Sequence, residues 1–204
     1  MNTLIKKRIN QANEVVSSLH DSTEDIALIA KAIIECFANG GTLFAAGNGG
    51  SATHAIHLCE ELTGRFRDDR PALPALSLCS DASTLTCIAN DFGWNEVFKR
   101  QLEAHAMCMV EEDDSLICND VLLVLTTSGN SENINFALDE ANRLGMTTIG
   151  LLGRDGGNSL EKCDLSLTID AIDSAAIQDG HHVVIHAICE VIESWIIGLE
   201  ELNN

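Results

Sequence analysis

Five short, almost wholly apolar runs recur along this chain: TLFAAG (42–47), PALSLCS (74–80), VLLVLTT (121–127), TTIGLLG (147–153) and LSLTI (165–169). Their lengths suit strands rather than helices, and they lack the in-out alternation of a sheet that is wet on one face. A strand apolar at nearly every position is covered on both faces. That condition is met when helices cross between parallel strands. Segments of helical spacing follow the runs, so the pattern predicts an α/β fold, a doubly wound parallel five-stranded sheet. In such sheets ligands bind beyond the carboxyl ends of the strands.

Two helical patterns precede the first run, at 3–19 and 23–38, the second stopping at Asn39-Gly40-Gly41. They read as a helical hairpin over residues 1–40 packed on a core of residues 41–204, one structural unit overall. The 204 residues are enough to bury a core without clips, and they leave little room for a second full domain. Residues 103–119 fit no element well and carry an acid run, Glu111 to Asp114, read as an excursion with a solvated charge run. The eight cysteines form no C-x-x-C pair and sit mostly in apolar segments, so they are expected to be small buried hydrophobes rather than a disulfide framework. A formal charge of −19 disfavours nucleic acid and anionic membrane surfaces as partners. MNTLIKKRINQANEVV lacks a secretory apolar stretch and no window suits a membrane span, which makes the cytoplasm the expected compartment.

Four groups of residues could carry chemistry. Asn48-Gly49-Gly50-Ser51 follows the first strand and opens a helix, where glycines admit a phosphate to the backbone N–H groups. A plain strand-to-helix turn capped by Ser51 explains these residues equally well. Thr126-Thr127-Ser128-Gly129-Asn130-Ser131 follows the third run, and four hydroxyls in one turn are more than a cap needs. They form a neutral cradle for a phosphate monoester. His57 and Glu61, at i and i+4, share a helix face with His54 nearby and could hold a metal or pass a proton, although a surface hydrogen bond is the commoner use of such a pair. In the last helix Gln178, His182, His186 and Glu190 recur every four residues, with His181 adjacent. Gln178 and His186 lie about 12 Å apart along a continuous helix. Joint service to one ion needs extended side chains, a helix beginning near Gly180, or ligands from different subunits.

With these residues assembled, the chain resembles the sugar isomerase (SIS) domain proteins and, within them, the phosphoheptose isomerases. The resemblance rests on GNGGSATHAIHLCEELTGRFRDDRPALPAL (47–76), IANDFG (88–93), TSGNS (127–131), GMTTIGLLGRDGG (145–157) and AIQDGHHVVIH (176–186). It implies a flavodoxin-like sheet and a cytoplasmic homotetramer with sites near subunit interfaces. The implied reaction converts sedoheptulose 7-phosphate to D-glycero-D-manno-heptose 7-phosphate through an enediol, for the heptose of lipopolysaccharide core. It also implies one Zn2+ per subunit on His57, Glu61, Gln178 and His186, with Glu61 as general base and His186 as general acid. Substrate contacts are implied for Asn48, Gly49, Gly50, Ser51, Glu61, Arg65, Asn90, Asp91, Thr126, Thr127, Ser128, Ser131 and Gln178. The chain departs from the family pattern in Thr126 where serine is frequent, in the uncharged Ala175-Ala176 pair and in the length of 103–119. The rival is a non-catalytic SIS module that binds sugar phosphate or associates with the replication initiator. Such modules lack the metal-site His and Glu.

Overall fold

The computed structural model describes residues 1–110 and 116–203, so the acid run Glu111 to Asp114 lies outside the described residues. Five parallel strands, β1 (Leu43–Gly47), β2 (Ala75–Ser77), β5 (Val121–Thr126), β6 (Thr147–Gly153) and β7 (Leu165–Ile169), form one sheet in the order β2-β1-β5-β6-β7. β3 (Met109–Val110) and β4 (Leu116–Ile117) form a separate antiparallel ribbon. The helices are α1 (Asn2–Ser18), α2 (Thr23–Ala38), α3 (Gly50–Thr63), α4 (Ala82–Phe92), α5 (Lys99–His105), α6 (Glu132–Arg143), α7 (Gly157–Leu160) and α8 (Ser174–Asn203).

Successive strand residues point to opposite faces, and each face has its own apolar layer. Leu43, Ala45, Val121, Leu123 and Leu125 pack with α1, α2, α3 and α8, whereas Phe44, Ala46, Leu122 and Val124 pack with residues of α4, α5 and α6. This accounts for the near-continuous apolar runs and establishes the doubly wound sheet. The second run yields only three strand residues. Beyond Ser77 the chain makes one more ladder bond, Leu78 N–H to the Ala45 carbonyl, and turns away.

Two expectations need correction. The N-terminal segment is not a doubled-back pair: Leu19–Ser22 is a single 3-10 turn with helical backbone at both joints, and α1 and α2 each pack against α8. Their apolar stripes, including Val15, Leu19, Ile29 and Ile33, find cover on α8 and the sheet rather than on each other. Nor are all cysteines free, because Cys108 and Cys118 form a disulfide with Cα atoms 4.4 Å apart. The ribbon pairs Met109 with Ile117, which sets Cys108 opposite Cys118. Cys36, Cys59 and Cys189 are buried as expected, and burial pushes their thiols up to about 12.

Candidate active site

The chain leaves β1 toward β2 and leaves β5 toward β6, so the sheet reverses direction between these two neighbours. The crevice at their carboxyl ends is the ligand position of such a sheet. Its two lips are Gly47–Ser51 and Thr126–Ser131. They are bolted together by Asn48 and Asn133, whose side-chain amides donate reciprocally to each other's Oδ1 at 2.9 Å. Gly47 has no room for a side chain, since a Cβ there would stand 2.6 Å from the Ser51 carbonyl. Gly49 turns the chain into α3 at φ +57°.

The hydroxyl-rich lip is largely self-satisfied. Thr126 Oγ1 accepts the Gly129 N–H at 3.1 Å and Ser128 Oγ accepts the Asn130 N–H at 3.2 Å, while Thr127 Oγ1 donates to Ser174 Oγ at 3.3 Å. Ser131 occupies the N-cap position of α6, yet its side chain makes no cap bond. The hydroxyl of Ser131 is therefore not spent on the helix, and with the amino end of α6 it can serve an anion.

The other end of the site is aromatic and titratable. His57 Nδ1 is 3.1 Å from Glu60 Oε2, and its Nε2 is 3.1 Å from His186 Nε2 and 3.5 Å from Glu61 Oε1. A carboxylate on Nδ1 holds that nitrogen protonated and frees the Nε2 lone pair. Two ring nitrogens 3.1 Å apart match the spacing of two donors each about 2.0–2.1 Å from a shared zinc. The donor set at this end thus fits a divalent cation. His182 stacks parallel to His57 at 5.2 Å and meets His186 edge-on at 4.4 Å, with His54 5.1 Å beyond it. Burial lowers the His54 and His182 pKa values, reinforced by the neighbouring imidazoles. His181 points the other way into the core, with Nε2 3.0 Å from the Leu152 carbonyl, and burial brings its pKa down to about 4.

Arg70 secures the helix that carries His57 and Glu61. Its guanidinium donates to the carbonyls of Glu61 at 2.6 Å, Leu62 at 2.7 Å and Gly64 at 3.3 Å, closing the carboxyl end of α3, and Nε lies 3.7 Å from the buried Glu193.

The structure brings His57, Glu61 and His186 together, with Gln178 and His186 both on α8. α8 is already helical from Ser174, so two turns separate the pair, and the Gln178 amide lies against Gly50 at the glycine lip. The option of a helix beginning near Gly180 is closed. Ser51 is buried, Arg65 is exposed, and Asn90 and Asp91 are exposed at the end of α4, where Asn90 donates to Asp91 at 2.7 Å. The loop after α4 touches the hydroxyl end through Asn95, which donates to Glu132 at 2.8 Å. The i,i+4 spacing of His182 to His186 is visible in the sequence, whereas its stacking on His57 exists only in three dimensions.

The SIS domain family model matches residues 9–153. The phosphoheptose isomerase of Pelobacter propionicus is 45% identical over 173 residues, covering 85% of this chain and 86% of that protein. That of Geotalea uraniireducens is 39% identical over 196 residues, covering 95% and 98%. Among solved structures, phosphoheptose isomerase GmhA from Neisseria gonorrhoeae superimposes with a TM-score of 0.80 at 34% identity, over 95% of this chain and 96% of that one.

Proposed function

This chain belongs to the SIS-domain family and, within it, to the phosphoheptose isomerases, and from that premise we propose which of its residues carry the reaction. The enzyme is an aldose-ketose isomerase that converts sedoheptulose 7-phosphate to D-glycero-D-manno-heptose 7-phosphate for lipopolysaccharide heptose synthesis. The observation that carries the residue assignment is the meeting of His57, Glu61 and His186 at one end of a crevice whose other end is a hydroxyl turn.

The hydroxyls of Thr126, Thr127, Ser128 and Ser131, with the amino end of α6, hold the phosphate, and its binding energy fixes the distant carbons in place. Asn48, Gly49, Gly50 and Ser51 line the opposite lip. Gln178, lying on Gly50, is a proposed sugar contact as well as a ligand of the ion. Arg65, Asn90 and Asp91 are proposed sugar contacts on exposed positions. Moving a carbonyl by one carbon needs a base for a carbon-bound proton and an acid for the neighbouring oxygen, with an enediol between. The Glu61 side chain, 14% exposed, is the base; its backbone is held by Arg70, so its carboxylate has a fixed origin. His186 delivers a proton to the oxygen.

We assign one zinc ion per subunit to His57, Glu61, Gln178 and His186, where it would supply Lewis-acid polarisation of the carbonyl and stabilise negative charge on oxygen. We further propose a cytoplasmic homotetramer. α1 leaves Leu4, Ile5 and Ile9 at least half exposed, an apolar stripe available for burial between copies. Among the described residues no helix is long and apolar enough to cross a membrane. The reading as a non-catalytic module is not favoured, because the relatives matched over nearly the whole chain are isomerases.

The test is Glu61→Gln assayed with sedoheptulose 7-phosphate in deuterated water. The variant is expected to melt like wild type and to bind substrate, while turnover and deuterium incorporation at C2 fall by roughly 10²- to 10⁴-fold. Wild-type turnover in this variant would remove Glu61 as the base.

A further inference from the structure

Asn133 has no role in the scheme above, although it is buried and stands just past Ser131 on α6. The ladder between β1 and β5 ends at Gly47 and Leu125. Past that point the two chains part, β1 leading into α3 on one face of the sheet and β5 into α6 on the other. Glu61 rides on the first branch and the hydroxyl turn belongs to the second. Among the described residues, the side-chain hydrogen bonds that span the two lips are the reciprocal pair of Asn48 and Asn133, both at 2.9 Å.

The direction of those bonds is set from α6. Asn133 Oδ1 also accepts the Ile134 N–H at 3.0 Å. A backbone N–H can bond only to the oxygen of a side-chain amide, so Asn133 is locked with Oδ1 toward its own helix. Its Nδ2 then donates to Asn48 Oδ1, and the Asn48 amide cannot turn over without setting oxygen against oxygen and nitrogen against nitrogen. An amide carries two N–H groups and two carbonyl lone pairs. Asn48 spends one of each on Asn133, and the remaining N–H and lone pair keep a fixed orientation at the half-buried lip.

We propose that Asn133 is a positioning residue for the isomerisation. It dictates which side of the Asn48 amide donates and which accepts, and it ties the glycine lip to the amino end of α6, so it sets where the sugar carbons lie once the phosphate is held. The inference rests on the assignment of Asn48 to the sugar and of the hydroxyl turn to the phosphate, and adds a residue that acts through Asn48. A sugar phosphate anchored at the turn reaches Glu61 and His186 only through the carbons between, and displacing a reacting atom by about 1 Å can cost about 100-fold in rate. The sheet fixes the two branches only as far as Gly47, and the amide pair fixes them beyond it.

The experiment is a double-mutant cycle on the full-length enzyme. Wild type, Asn133→Ala, Asn48→Ala and the double variant are assayed with sedoheptulose 7-phosphate, and each is titrated with inorganic phosphate as a competitive inhibitor. Asn133→Ala is expected to lower kcat by roughly 10- to 100-fold, with KM and the inhibition constant of phosphate each within about threefold of wild type. In the Asn48→Ala background the same substitution should lower kcat by less than about threefold further, because its effect passes through Asn48. A merely structural loss would reduce the active fraction alike in both backgrounds. Equal losses in the two backgrounds, or a kcat of Asn133→Ala within about threefold of wild type, overturns the inference. Phosphate inhibition weakened as much as kcat also overturns it, since Asn133 then serves the turn alone. Absence of competitive inhibition by phosphate in the wild type overturns the reading of the hydroxyl turn, and the inference with it. Asn133→Ser replaces Asn133→Ala if the latter does not fold: its hydroxyl can still accept the Ile134 N–H but is too short to reach Asn48.

Discussion

The two ends of the crevice are built on opposite terms. At the hydroxyl end most polar atoms other than the Ser131 hydroxyl already have a partner in the turn or in α7: Thr126 and Ser128 accept backbone N–H groups, Asn130 accepts the Asn158 N–H, and Ser159 donates to the Gly129 carbonyl. At the imidazole end His54 and His182 are held by ring packing, and each has a buried Nδ1 that bonds to nothing. A turn satisfied before its ligand arrives is a rigid anchor, which a phosphate that reports only position requires. An end with unmet nitrogen valence is where an ion and moving protons belong. The turn contains no imidazole, while the other end is dominated by four of them, His54, His57, His182 and His186.

The largest effect is expected from breaking the rigid end at its tightest point. A Cβ on Gly129 would stand 1.8 Å from the Gly156 carbonyl oxygen, and its φ of +65° is itself unfavourable for other residues. Both neighbours are backbone, so nothing small can move aside. Gly129→Ala should cost more than about 4 kcal/mol and yield little folded protein. Gly49 at the other lip also has positive φ, but a Cβ there meets nothing within 4 Å. Gly49→Ala should cost only backbone strain, about 1–3 kcal/mol. Equal losses of melting temperature in the two variants would end the contrast.

Next in size is a pH effect of histidines on α3 and α8, the largest part from His181. His181 is wholly buried, and its pKa falls from 6.5 in the unfolded chain to about 4 in the fold. Between those values the unfolded state binds a proton that the native state refuses, so stability rises with pH there. The contribution is complete above about pH 6.5 and is lost as pH drops toward 4, at up to about 1.4 kcal/mol per unit. His54 and His182 shift in the same direction and add to the slope. Urea midpoints between pH 7 and 4 should fall steeply for wild type and less steeply for His181→Leu, whatever the variant's absolute stability. A slope unchanged by the substitution would assign the acid sensitivity elsewhere.

Much of this was written in the sequence. The strands were legible because a parallel sheet forces apolar residues onto both faces, and the lips because only glycines and hydroxyl residues suit strand ends that face an anion. The joint at 19–22 was not: the gap between the two helical patterns carries no sign of the 3-10 turn that joins α1 to α2, nor that both helices pack on α8. The Cys108–Cys118 bridge depends on an antiparallel ribbon across an acid run that carries no strand signal of its own. At the imidazole end, four residues of α8 share one spacing, and helical periodicity cannot choose among Gln178, His182 and His186. Packing on a different helix is what brings His182 and His186 against His57.

The smallest expected effect discriminates most finely. Ser131 has the extended backbone of an N-cap, φ −72° and ψ 119°, yet the Ile134 N–H goes to the Ser131 carbonyl and to Asn133 Oδ1 rather than to the Ser131 hydroxyl. The hydroxyl therefore contributes nothing to the helix and is free for the phosphate. Replacing a working serine cap with alanine costs about 1 kcal/mol of stability. Losing a hydroxyl donor to a charged ligand costs about 1.5–3 kcal/mol of binding, roughly 10- to 100-fold. Ser131→Ala should accordingly leave the melting temperature within about one degree of wild type and raise KM at least about tenfold with kcat little changed, since the phosphate is bound alike in ground and transition states. The reverse pattern, a lower melting temperature at constant KM, would make Ser131 an ordinary cap. It would also leave the hydroxyl end a satisfied turn with no donor to spare, and the contrast between the two ends would lose its functional meaning.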